Sequence, residues 1–172
     1  RQMCIRDRYR RDNVSYNPGA GKCIAGFIWT GDENGNIRIY TCDIKVVDAD
    51  YREISGATIS IGTATRRRQS GSSCSYFGAV NGGILAGYVH SGDENGYTTW
   101  YIRTINVSYE GKVYNTSTVG QYEKQNISKK GGVFNVYNES PASYNFIVDG
   151  AECGDENGTL KYAYSQINLN PA

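Results

Sequence analysis

The sequence predicts an all-β antiparallel sandwich built from repeats of about 61 residues, with very little helix. Three observations carry that prediction. The pentapeptide Gly-Asp-Glu-Asn-Gly stands at 31–35, 92–96 and 154–158, at offsets of 61 and 62 residues. The segments that follow each copy alternate apolar and polar residues with period two, as strands with one buried face do. The chain is also rich in Gly (21) and Tyr (15) but holds one Met and three Pro, which suits glycine turns between β-forming runs. No 3.6-residue apolar pattern with helix caps occurs.

The first eight residues, Arg1-Gln2-Met3-Cys4-Ile5-Arg6-Asp7-Arg8, resemble read-through of a transposon-type sequencing adaptor. They are expected to be a scar and are set aside from fold reasoning. The source is then an environmental (metagenomic) assembly whose true start is lost, so a missing signal peptide carries no information. Residues 9–43 read as a truncated first repeat, or a donor arm plus a hairpin. Residues 44–104 and 105–172 read as two sandwich repeats, with a shared core left open.

Each copy of the pentapeptide reads as strand, tight turn, strand. Asp bonds backbone two residues on, and Asn and Gly tolerate positive φ. The flanks repeat as well. Phe27-Ile28-Trp29-Thr30 aligns with Tyr88-Val89-His90-Ser91 and, more loosely, with Ala151-Glu152-Cys153. Downstream, Ile44-Lys45-Val46, Ile105-Asn106-Val107 and Ile167-Asn168-Leu169 share one offset. The turn glycines and aspartates Gly31, Asp32, Gly35, Gly92, Asp93, Gly96, Gly154, Asp155 and Gly158 therefore mark register. Between turns, Asp43–Asp50 and Ile54–Ile61 read as two strands meeting near Asp50-Tyr51.

Charge and chemistry exclude several functions. The 18 Lys and Arg nearly cancel the 17 Asp and Glu, so no net field favours nucleic acid. Arg66-Arg67-Arg68 reads as a solvated basic loop or partner contact. No apolar run is long enough for a membrane span. One histidine, His90, with no Cys or second His nearby, makes neither a triad nor an ordinary zinc site. No hydrolase, P-loop or zinc-protease motif occurs, and Glu110 and Glu123 lie among polar loops. The reading is that the chain is not an enzyme and needs no cofactor. The acidic turns are candidate oxygen ligands for Ca²⁺, but they lack EF-hand spacing, and turn geometry accounts for them without a metal.

With Cys4 set aside, Cys23, Cys42, Cys74 and Cys153 remain. An even number without CxxC spacing fits two disulfides, with three pairings open. N-glycosylation sequons begin at Asn13, Asn106, Asn115, Asn126, Asn138 and Asn157, an excess that suits a glycoprotein exposed outside the cell.

Val46, Asp48, Ile54, Gly56, Ala57, Ile59 and Ile61, followed by Gly92-Asp93-Glu94-Asn95-Gly96-Tyr97-Thr98-Thr99-Trp100-Tyr101-Ile102, resemble the carboxypeptidase-regulatory-like, or prealbumin-like, domains of microbial cell-surface proteins. The resemblance covers roughly residues 43–119. It implies an immunoglobulin-like β-sandwich, a non-catalytic role and a cell-surface location. Two departures stand out: the basic stretch Thr65–Gly71, and Thr116-Ser117-Thr118 in place of Ser-Gly-Ala in the second copy.

Two functions follow as expectations. The first is a structural subunit of an extracellular filament or pilus-like fibril, a homopolymer joined by β-strand pairing through unprotected edges. Tyr9–Gly21 and Tyr162–Leu169 are the candidate donor strands. The second is a carbohydrate-binding or adhesion module of a longer surface protein, using aromatics such as Tyr16, Trp29, Tyr76, Phe77, Tyr88, Tyr97, Trp100, Tyr101 and Tyr109 to stack on glycans.

Overall fold

The computed structural model describes residues 3–10, 13–30, 35–70, 73–76, 80–92, 96–139, 144–155 and 157–172; of Met3–Arg10, Asn13, Arg66 and Arg67 it describes the backbone alone. The fold is all-β, antiparallel and sandwich-like. A three-residue 3₁₀ turn, Val136–Asn138, is the one helical element among the described residues.

Three hairpins organise the chain. β3 (Lys22–Thr30) pairs with β4 (Asn36–Asp43), β6 (Gly83–Ser91) with β7 (Tyr97–Tyr109), and β11 (Phe146–Cys153) with β12 (Thr159–Ser165). The pentapeptide joins the two strands each time, in one register: Thr30 faces Asn36, Ser91 faces Tyr97 and Cys153 faces Thr159. Each ladder also shifts register at the same place, between Ile24 and Gly26, Leu85 and Gly87, and Ile147 and Asp149. A shared bulge bends three strands alike, so their twist matches.

The turn explains its own sequence. The first glycine is left-handed, with φ +88° at Gly92 and +90° at Gly154. The last is packed on the chain: a Cβ at Gly96 or Gly158 would meet the carbonyl oxygen of Ser91 or Cys153 at 2.0 Å. Between them, Asp155 Oδ1 accepts from Asn157 N at 3.0 Å, the aspartate turn its residue type favours. Gly31, Asp32 and Asp93 lie outside the described residues; Gly35 immediately precedes β4.

An edge strand precedes each hairpin and pairs with its second strand: β1 (Met3–Arg10) with β4, β5 (Thr58–Ser70) with β7, and β9 (Tyr122–Ser128) with β12. Arg10, Ser70 and Ser128 face the equivalent residues Asn36, Tyr97 and Thr159. Thr65–Ser70 are thus strand, paired with β7, and the expected basic loop is corrected; Arg68 lays its guanidinium 4.0 Å from the centre of the Tyr97 ring.

Short segments close the arrangement cyclically. β2 (Asn13–Tyr16) crosses to β6. Cys74 crosses to β11, where its N–H donates to Glu152 O at 2.9 Å. β10 (Val133–Asn135) crosses to β3. Each unit therefore reaches the hairpin of the next, and β3, β6 and β11 pack against one another.

The three hairpins share one core. Phe27, Tyr88, Trp100, Phe134 and Tyr162 are buried, with Phe27 stacked on Tyr162 at 5.4 Å and Tyr88 against Trp100 at 5.1 Å. Gly150 stands where the other hairpins carry Phe27 and Tyr88, because a Cβ there would sit 2.8 Å from the Trp100 ring. The large indole and the missing side chain are complementary, as close packing requires.

Candidate functional site

The hairpins define an axis with two unlike ends. At the turn end, the residue two before each turn points inward: Trp29, His90 and Glu152, each at most 1% exposed. Glu152 is the centre. Thr98 Oγ1 donates to its Oε2, His90 Nε2 lies 3.8 Å from its Oε1 and Lys129 Nζ 3.6 Å from the same oxygen. Lys129 also donates to Gly154 O at 2.8 Å. The Trp29 ring stands edge-on to His90, and its Nε1 donates to Tyr162 Oη at 3.3 Å. Burial pushes the Tyr162 phenol well above its ordinary value, partly offset by the Trp29 hydrogen bond. Buried charges of this kind need their partners, so the cluster acts as a lock.

At the other end the strands run on past the hairpins as three tails. The first is Ile44–Asp48, the second the last third of β7, and the third β13 (Ile167–Pro171). Equivalent side chains from all three, Ile44, Ile105 and Ile167 with Val46, Val107 and Leu169, line a groove of about 380 Å³. Phe146 and Thr116 line it too, and Lys45, Asp48, Gln166 and Asn168 make its polar part. Tyr51 and Tyr144 stack at 3.9 Å beside it, and Gln166 Nε2 donates to Tyr51 Oη at 3.3 Å. The predicted turn near Asp50-Tyr51 is present: Asp48 Oδ1 accepts from Asp50 N and Arg52 N, and Tyr51 has φ 62°. The two strands expected to meet there are corrected to a single Val47–Glu53 bridge, with β4 ending at Asp43 and β5 beginning at Thr58.

The structure sorts the sequence candidates. Cys74 and Cys153 form a disulfide. Cys23 and Cys42 face each other across β3 and β4 as thiols with Sγ atoms 3.4 Å apart, so the second expected disulfide is not formed. Asn106, Asn115, Asn126, Asn138 and Asn157 are exposed; the Asn13 side chain lies outside the described residues. Trp29, Tyr88 and Trp100 are fully buried in the core, which removes them as a glycan-stacking surface. Phe77 lies outside the described residues. Tyr16 and Tyr76 are half-buried, and Tyr76 carries Lys161 Nζ 4.3 Å from its ring centre. Of the candidate donor strands, Tyr9–Arg10 lie in β1 and Asn13–Tyr16 in β2, both paired inside the chain. Tyr162–Leu169 divide between β12 and the sheet-edge strand β13.

Among the described residues no group of three His, Cys, Asp or Glu side chains is placed to hold a metal; Asp32, Glu33, Asp93, Glu94 and Glu156 lie outside them. No helix among the described residues is long and apolar enough to cross a membrane. The buried Lys129–Glu152 pair gave no sequence signal, because nothing in a Ser-Lys-Lys-Gly turn marks one lysine as internal. Comparison with protein-family models, curated proteins and solved structures finds no match.

Proposed function

We propose that the chain is a structural subunit of an extracellular surface filament or pilus-like fibril, assembled by β-strand pairing between copies. The observation that carries this reading is β13: a sheet-edge strand whose apolar side chains line an open groove. An exposed edge beside unfilled apolar surface is the arrangement that strand addition uses. The Cys74–Cys153 disulfide suits an oxidising compartment, and five exposed sequon asparagines suit a glycosylated outer surface. The resemblance to prealbumin-like surface modules points the same way.

The second reading is a carbohydrate-binding or adhesion module of a longer surface protein. It is favoured by half-exposed Tyr51, whose ring borders the groove beside Gln166 and Asn168. Electron microscopy of the purified chain across a concentration series separates the two. Regular fibrils support the structural reading. A monodisperse monomer that retains glycans on an array, and loses them on Tyr51→Ala, overturns it.

A further inference from the structure

The groove is one of three equivalent positions around the axis, and the other two are filled by extended segments of this chain. Between the first tail and the second runs Glu53–Ile61. Glu53 bridges to Val47, Ile54 N donates to Val46 O at 2.9 Å, and Thr58–Ile61 pair with Ser108–Ile105. Between the second tail and the third runs β8 (Lys112–Thr118). Its first half pairs with Asn106–Tyr109 and its second half with β13. In both positions a segment returns from one tail, lies antiparallel to the next, and runs on into the following edge strand, β5 or β9. Between the third tail and the first, no described residue bridges β13 to Ile44–Asp48, and both line the groove.

Directions agree with a single missing element. β8 is antiparallel to both β7 and β13, and β5 is antiparallel to β7. One strand placed between β13 and Ile44–Asp48 is then antiparallel to both walls, and the alternation closes. Its inward side chains would meet the half-buried Val46, Ile167 and Leu169, which lie over the buried Ile44, Ile105 and Phe146. An occupant that satisfies two strand edges at once must bring a backbone with free N–H and C=O groups on both sides. A sugar or a small apolar ligand does neither.

We infer that this groove is the acceptor for one extended segment of a second copy of this chain, which completes the ring. The inference rests on the filament reading above and names the site at which pairing occurs. A copy of the same chain is the occupant because segments of its own repeat already fit the two sister positions, as Thr116 lies buried between exposed Asn115 and half-buried Ser117 in β8. Net charge of +1 sets no barrier between copies. The polar lining holds one Lys and one Asp, Lys45 and Asp48, which suits a neutral strand.

The test compares the full chain with a variant carrying Asn-Gly and a second copy of Lys112–Thr118 after Ala172, and with the same extension scrambled. The readouts are light-scattering mass and thermal melting. The expected result is assembly of the parent, no assembly of the extended chain, a melting temperature raised by about 5 °C or more, and no change from the scrambled extension. If the parent assembles and the extension alters neither readout, the acceptor lies elsewhere, although the filament reading stands. If the extension stabilises but the parent stays monomeric at every concentration, the occupant is not a second copy, and both readings fall. A Leu169→Lys variant gives an independent check: assembly should fall at least tenfold while the melting temperature stays within a few degrees, and unchanged assembly overturns the assignment.

Discussion

The two ends of the axis are made from equivalent positions in the three hairpins and finished in opposite ways. At the turn end Trp29, His90 and Glu152 converge with Lys129 and Thr98, and every side chain is internal. At the tail end Ile44, Ile105 and Ile167 converge, and no strand of the described residues fills one of the three gaps. The contrast shows how a repeated unit divides labour. Departures from the repeat, aromatic to His to Glu, build a buried polar lock at one end. Fidelity to the repeat, Ile at every copy, leaves matching apolar walls at the other. Stability should therefore be concentrated at the turn end and in the aromatic core, and association at the tail end.

Substitutions that break this contrast rank by size. Trp100→Ala should cost most, about 3–5 kcal/mol in denaturant unfolding, because the indole fills the space that Gly150 leaves. A loss below 1 kcal/mol would mean the core is not shared as described. Lys129→Met should cost about 3–5 kcal/mol by stranding the Glu152 carboxylate in the interior. Pairing it with Glu152→Gln should recover a good part of that loss, and additive losses in the double-mutant cycle would argue against direct coupling. Replacing both Cys74 and Cys153 by Ser should cost about 2–4 kcal/mol, since the bridge closes a separation of 79 residues.

Alkali sharpens the comparison further. Burial raises Tyr162 well above the ordinary 10.0, and burial with Glu123 raises Tyr76. A raised tyrosine is protonated in the fold while the unfolded chain ionises, so stability is intact below pH 10 and falls as pH climbs above it. The slope should be about 1.4 kcal/mol per pH unit for Tyr162. Tyr162→Phe should flatten this slope between pH 10 and 12; an unchanged slope places the titration elsewhere. Leu169→Lys at the tail end should change stability least, by under about 1 kcal/mol, while removing association.

Much of this was legible in the sequence, for identifiable reasons. The turn announces itself because Gly at its ends and Asp between are each required by backbone geometry, as at Gly154, Asp155 and Gly158. The alternation after each turn marks β4, β7 and β12, and the shared Ile at 44, 105 and 167 gives three segments one offset, though not their convergence on one groove. The extent of β5 was not legible, because Arg66-Arg67-Arg68 looks like a solvated loop, whereas its pairing is decided by the backbone of β7. Trp29 and Trp100 read as candidate sugar-stacking residues because period-two alternation says that one face is buried without saying which, and the fold turns both inward. The pairing of Cys74 with Cys153 and the internal Lys129–Glu152 contact depend on how hairpins meet across the axis, which no local pattern encodes.

In the filament reading, association closes the gap between β13 and Ile44–Asp48. Amide hydrogen exchange on the assembled and dispersed chain tests it most directly. On assembly, exchange should slow at least tenfold at the amides of Lys45 and Val47 and at the alternate amides of 167–170 that face away from β8, with β8 and β5 unchanged; the Ile44 and Asp48 N–H groups already donate to Gly21 O and Arg52 O. Protection gained instead at the outer edges of β9 or β10, with β13 exchanging as before, would contradict it.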